Sequence, residues 1–193
     1  MAEIRDKHVD WRVVARLHEL LKQLPDTDHD VTLTYSLFST ILCWTCQKIR
    51  GGEAHAAHPV WQKLKQERAF DAPWLLRGQN VEVVEVGESI NALPASVFLV
   101  SLRNAIAHGD DRRVRPLHHG EKGKADRRLT GFILELDLVD QGQKQKEAPR
   151  WGRHRVSMNQ MDMRRIGMAL ADRFVSVLSA QSQEDARRHV LAA

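Results

Sequence analysis

No charged residue interrupts the chain between Asp30 and Lys48, and the run from Val31 to Gln47 is the longest uncharged stretch in the sequence. A segment this apolar folds stably only where most of its surface leaves water. It falls short of the roughly 20 mostly apolar residues that cross a bilayer, and its threonines and serines dilute it further. A buried central helix over 31–50 is therefore expected, with Asp28 or Asp30 placed to cap its start and Gly51-Gly52 to end it.

The remaining elements are read from periodicity. Trp11, Val14, Leu17, Leu21 and Leu24 recur at three- and four-residue spacing and predict an amphipathic helix over about 8–24 that stops before Pro25. A third long helix is expected over 89–108, with Pro94 near its start and Gly109 just beyond its end. The period then changes. Leu129, Gly131, Phe132, Leu134, Leu136 and Leu138 suggest a strand, Gly142-Gln-Lys-Gln-Lys a turn, and Trp151–Met158 a return strand, which together make a β-hairpin over about 129–158.

Met163, Ile166, Leu170, Phe174 and Val177 then mark a closing helix over about 159–180. Residues 51–87 are punctuated by His, Pro and Gly; Val60 to Arg68 reads as a short helix, and Val81 to Val86, where valines meet acids, fits strand or loop. The sum predicts a mainly α fold, one domain over 1–193, built as a helical bundle with a β-hairpin inserted before the last helix.

With 42% hydrophobic residues the chain can bury a sizeable core, which excludes disordered and low-complexity classes. Lys and Arg number 29 against 25 Asp and Glu, a net of 29 − 25 = +4, and the sequence pI is about 9.3, so a polyanionic partner is permitted. Two cysteines and an N-terminus without an apolar signal core point to the reducing cytoplasm, with no membrane partner. The signatures of P-loop, dinucleotide-binding, Gly-x-Ser-x-Gly and His-Glu-x-x-His enzymes are absent. The five tryptophans are too scattered to show a stacking platform.

Chemistry concentrates at the end of the third long helix, in Leu102-Arg103-Asn104-Ala105-Ile106-Ala107-His108-Gly109. At about 100° per residue, with Phe98 at zero, Leu99, Leu102, Ala105 and Ile106 complete a buried face. Arg103 lies near about 140°, Asn104 near about 240° and His108 near about 280°, all projecting away from it. Val97, Val100 and Ala107 lie between them, and this flatter apolar flank is expected to meet a second copy of the chain. A histidine titrating near neutrality moves protons, and an arginine holds a phosphate and stabilises its developing charge. Those are the needs of metal-independent RNA cleavage by the neighbouring 2′-hydroxyl.

Arg103-Asn-Ala-Ile-Ala-His108 resembles the Arg-x(4–6)-His motif of HEPN superfamily ribonucleases, including the polar residue after the arginine. The resemblance implies a helical bundle that dimerises through the Arg103–His108 helix into one composite RNase cleft, needing no cofactor and no metal. It carries over Arg103 as the phosphate-binding residue, Asn104 as the orienting residue and His108 as the general acid/base. It further implies a toxin, anti-phage or stress role restrained by an antitoxin partner. Where many such toxins carry a tyrosine two residues after the motif histidine, this chain has Asp110, so regulation through that tyrosine does not carry over.

A catalytically silent module that binds RNA, nucleotide or a protein partner is the alternative. An Arg and a His near a helix C-terminus also suit the negative end of the helix dipole without any ligand.

Residues 112–128 carry Arg112, Arg113, Arg115, Lys122, Lys124, Arg127 and Arg128 against Glu121 and Asp126, a local net of 7 − 2 = +5. Read as a loop beside Arg103 and His108, this stretch suits a phosphate backbone; read blandly, it is a solvated loop. Cys43-Trp-Thr-Cys46 has metal-pair spacing but lies inside the apolar helix without a second pair, so core packing is expected. His55 with His58 and His118 with His119 are expected to be surface histidines or minor RNA contacts rather than metal ligands.

Overall fold

The computed structural model describes residues 6–25, 30–50, 59–76, 80–109, 112–120, 122–124, 127–139 and 149–191. The first two helices are α1 (Asp6–Gln23) and α2 (Val31–Arg50), followed by the short α3 (Pro59–Gln66) and strand β1 (Val81–Val86). A 3-10 turn at Ile90–Ala92 leads into α4 (Ala95–Ala107), then β2 (Val114–His119), β3 (Arg128–Asp137), β4 (Gly152–Asn159) and the long α5 (Gln160–Leu191). Asp28, Gly51-Gly52, the His55/His58 pair, Asp110 and the 142–146 turn lie outside the described residues.

The expectation of a mainly helical bundle with one hairpin is incorrect. Among the described residues, five helices stand with a four-stranded antiparallel sheet in the order β1-β4-β3-β2, a mixed α/β fold. The expected hairpin supplies only the two middle strands. Both outer strands come from stretches with weak alternation. Val81 to Val86 pairs with β4, and about a third of the basic stretch, Val114–His119, becomes β2 against β3. Edge strands are exposed along most of their length, so little apolar patterning is needed to hold them. Pro116 is tolerated in β2 because that strand is an edge.

The sheet is two-faced. Leu134 and Leu136 of β3 and His154, Val156 and Met158 of β4 point into the core. The intervening residues form ion pairs on the outside: Arg153 Nε to Asp137 Oδ1 at 2.8 Å, Arg113 Nη2 to Asp137 Oδ2 at 3.0 Å, and Arg155 Nη1 to Glu82 Oε2 at 2.8 Å. Period-2 alternation sorts the two chemistries to opposite faces.

On the helical side α1, α2 and α5 pack closely around Gly167. A Cβ there would sit 2.8 Å from Leu21 Cδ2 and 3.4 Å from Phe38 Cδ2, so a glycine sets how near the three helices approach. The N-terminus of α5 is closed reciprocally: Asp162 N–H donates to Asn159 Oδ1 at 2.9 Å, and Asn159 N–H to Asp162 Oδ2 at 3.3 Å. The buried Asp162 carboxylate also accepts from Asn80 and Arg165. No helix among the described residues is long and apolar enough to cross a membrane.

Between helices and sheet runs α4. Pro94 is its N-cap residue, with φ −66° and ψ 142°, so the helix begins at Ala95 rather than at 89. Ala95 N–H donates to Glu67 O and Ala69 N–H to Leu93 O, both at 2.8 Å, tying its entrance to the segment after α3. All eight residues from Ala95 to Leu102 are buried, Val97 and Val100 included, at 4% and 6% exposure. The Val97 and Val100 part of the apolar flank expected to meet a second copy is thus covered within the chain, and only Ala107 of that flank reaches solvent.

His154 is buried among Phe70, Leu76, Val81, Phe98 and Leu136. Burial pushes its pKa below the ordinary histidine value, only partly offset by the Gly152 backbone. As pH falls through about 6.5 the unfolded chain takes up this proton before the folded one does, so the contribution of His154 to stability is full above that pH and declines below it. In urea denaturation between pH 8 and pH 5, wild type should therefore lose more stability than His154→Leu. Parallel pH profiles for the two proteins would contradict a neutral, buried imidazole.

Candidate functional site

Burial around α4 breaks at its last turn. Arg103 and Asn104 are half-buried, while Ala107 and His108 are exposed. Arg103 Nη1 donates to Asn104 Oδ1 at 3.1 Å, which leaves the other guanidinium N–H groups and the Asn104 amide available for a ligand. Asn104 thus orients Arg103 in this structure.

His108 is the C-cap residue, at φ −107° and ψ 17°. Its backbone N–H bonds to the carbonyl oxygens of Asn104, at 3.0 Å, and Ile106. The chain turns tightly here. A Cβ on Gly109 would lie 3.1 Å from both Ile106 O and Val114 Cγ2, so a small residue is needed to pass from α4 into β2. On an ideal helix residues 103 and 108 are separated by about 7.5 Å along the axis and about 140° around it. Within one chain the two side chains leave the helix in different directions.

Arg103 is aimed at α2. Cys46 Sγ lies 4.0 Å from Leu99 O, and one turn away the Arg103 charge acts on the Cys43 thiol. Residues three back along α2 thus meet residues four forward along α4, so the two helices run antiparallel. Ser39 and Tyr35 continue this line toward the last turn of α4. The Tyr35 ring closes that end against Phe132 of β3, with centroids 4.2 Å apart at 33°. Burial raises the Tyr35 pKa, with Ser39 lowering it and Cys43 raising it slightly, so the phenol remains a proton donor at neutral pH.

Arg103 therefore faces Cys43, at one end of a half-buried strip that Ser39 and Tyr35 continue along α2. Their spacing of four residues within an uncharged helix was the available signal. Cys43 is half-buried rather than a core residue, while Cys46 is buried.

The basic stretch is divided by the sheet. Arg113 is engaged with Asp137, and Arg115 is exposed on β2 opposite Ile133. Arg112 is exposed in the turn between α4 and β2. Lys122 and Lys124 are exposed at the far tip of the β2–β3 hairpin, and Arg128 is exposed opposite His119. Arg127 Nη2 lies 3.2 Å from His118 Nδ1, and because arginine only donates, that nitrogen is the acceptor. A six-residue strand spans about 20 Å, so Arg112, Arg113 and Arg115 lie toward the α4 terminus, and Lys122, Lys124, Arg127 and Arg128 lie well away from it. Among the described residues no group of three or more His, Cys, Asp or Glu side chains is placed to hold a metal ion.

Comparison with protein-family models, curated proteins and solved structures finds no match to this chain.

Burial raises the Cys43 pKa, and the Arg103 charge opposes that rise. In a Cys46→Ala background, the pH midpoint for alkylation by iodoacetamide should lie above the ordinary thiol range, and Arg103→Met should move it higher still. An unchanged midpoint in Arg103→Met would mean that the guanidinium does not face α2.

Proposed function

We propose that this protein is a metal-independent endoribonuclease acting at the last turn of α4. One observation carries the proposal: a half-buried Arg103–Asn104 pair and an exposed His108 share the only part of a buried helix that reaches solvent. The Arg-x(4)-His resemblance supports it; the helical-bundle architecture does not enter.

In this reaction the 2′-oxygen bonds to phosphorus as the bond from phosphorus to the 5′-oxygen breaks. One proton leaves the 2′-hydroxyl and another reaches the 5′-oxygen, which yields a 2′,3′-cyclic phosphate and a 5′-hydroxyl. His108 is suited to these transfers because an exposed imidazole can both accept and donate a proton. Arg103, held by Asn104, supplies N–H donors to the non-bridging phosphate oxygens as charge builds on them. Arg112 and Arg115 add positive potential next to the site.

The divergence of Arg103 and His108 favours a site completed by a second copy, in which His108 of one chain works opposite Arg103 of the other. The contact would use the exposed last turn with Ala107, since Val97 and Val100 are already covered. The same divergence within one chain favours the second reading, a module that binds RNA without cutting it.

Wild type, Arg103→Ala and His108→Ala should be compared on mixed RNA in excess EDTA, with folding checked by circular dichroism. Wild type should leave 2′,3′-cyclic ends, and each variant should lose about a hundredfold or more in rate. Mixing the two variants should restore part of the activity, because a mixed dimer carries one intact Arg–His pair. RNA left intact by folded wild type across several RNA classes would overturn the nuclease in favour of the binding module.

A further inference from the structure

Hydroxyl groups in an apolar helix commonly bond back to a carbonyl one turn earlier. Along α2 three do so: Ser36 to Thr32 O at 2.9 Å, Thr40 to Ser36 O at 2.8 Å and Thr45 to Ile41 O at 2.7 Å. Ser39 Oγ does not. Its oxygen is buried and makes no hydrogen bond of that kind, and its polar neighbour is the Tyr35 hydroxyl, whose pKa it lowers. Thr34 Oγ1 also lacks a partner, but Thr34 is fully buried within the core. Ser39 belongs to the stripe that meets Arg103.

A hydroxyl held out of water with no partner carries a desolvation cost that a fold gains nothing by keeping. Tyr35, Ser39 and Cys43 recur every four residues, so they climb α2 by about 12 Å along one gently turning line, ending beside the guanidinium. The phenol, the serine hydroxyl and the Arg103 N–H groups can all donate. A row of donors with one cation at its end suits a chain of phosphates rather than a cation or an apolar ligand.

We infer that the Tyr35 and Ser39 hydroxyls form a second backbone-phosphate subsite, holding RNA next to the phosphate that Arg103 grips. This rests on the proposed nuclease site and names a further part of it. Tyr35 and Ser39 are positioning residues: they hold a neighbouring backbone phosphate and touch none of the reacting atoms.

The test is fluorescence anisotropy with a labelled RNA oligonucleotide methylated at every 2′-oxygen, which binds without being cleaved by this chemistry. Tyr35→Phe keeps the ring contact with Phe132 and removes only the hydroxyl. Ser39→Ala removes an unpartnered hydroxyl, so its thermal midpoint should stay level or rise. Each should weaken binding about three- to tenfold while leaving the salt dependence unchanged. Arg103→Ala should weaken binding and lower the salt slope by about one. The control Thr40→Ala should bind as wild type does.

Wild-type affinity in both Tyr35→Phe and Ser39→Ala, with Arg103→Ala still impaired, would overturn the second subsite and leave the Arg103 site standing. Wild-type affinity in Arg103→Ala as well would overturn the nuclease site and this inference with it.

Discussion

The enclosure of α4 is the constraint on which the rest of the structure depends. α2 lies along one side of it, α3 along another and β3 along a third, so its first eight residues reach almost no solvent. A helix packed on every side has no freedom to rotate or slide, because each displacement opens a cavity in a close-packed core. The polar side chains of its final turn are consequently held by a rigid element, and the chain leaves it through a tight turn at Gly109. Rigid support of this kind lets a half-buried arginine keep one orientation beside a helix that contributes only hydroxyls and a thiol.

The sheet provides that support from below. Its inner face presents Leu134, Leu136, Val156 and Met158 to the helices, and Ser101 of α4 donates to Asp137 O at 2.8 Å where β3 ends. Its outer face is a lattice of arginines and carboxylates whose charges are largely compensated. Exposed pairs of this sort contribute little stability individually. They do commit Arg113, Arg153 and Arg155 to the outer face of the sheet.

Much of this was legible in the sequence where one apolar face repeats. The stripes through Val14 and Leu21, through the uncharged run from Val31, and through Met163 to Phe174 fall on α1, α2 and α5, and the Leu134/Leu136 alternation falls on β3. The two outer strands were not legible. β1 is exposed along nearly its whole length and β2 carries Pro116 and three basic or histidine side chains, so neither shows an apolar period. Missing them turned a mixed α/β fold into a supposed helical bundle.

At the site, a helical wheel located Arg103 and Asn104 outside the main buried face but misjudged Val97 and Val100. A wheel records direction and not what lies there, and here the direction holds neighbouring elements of the same chain. It also placed His108 on a helix that has already ended. The Tyr35, Ser39 and Cys43 line escaped notice because each residue alone is an ordinary member of an apolar helix. Their meaning comes from the arginine that the antiparallel register brings against them.

The central claim is that a ligand site lies where the buried helix α4 surfaces beside α2. Hydrogen–deuterium exchange with and without an uncleavable 2′-O-methyl RNA tests it most directly. The amides of 95–102 should exchange slowly in both states, and new protection should be confined to 103–109, the 35–43 stretch of α2 and the start of β2. Protection confined to the outer face of the sheet or to the tip of the β2–β3 hairpin, with 103–109 unchanged, would contradict it.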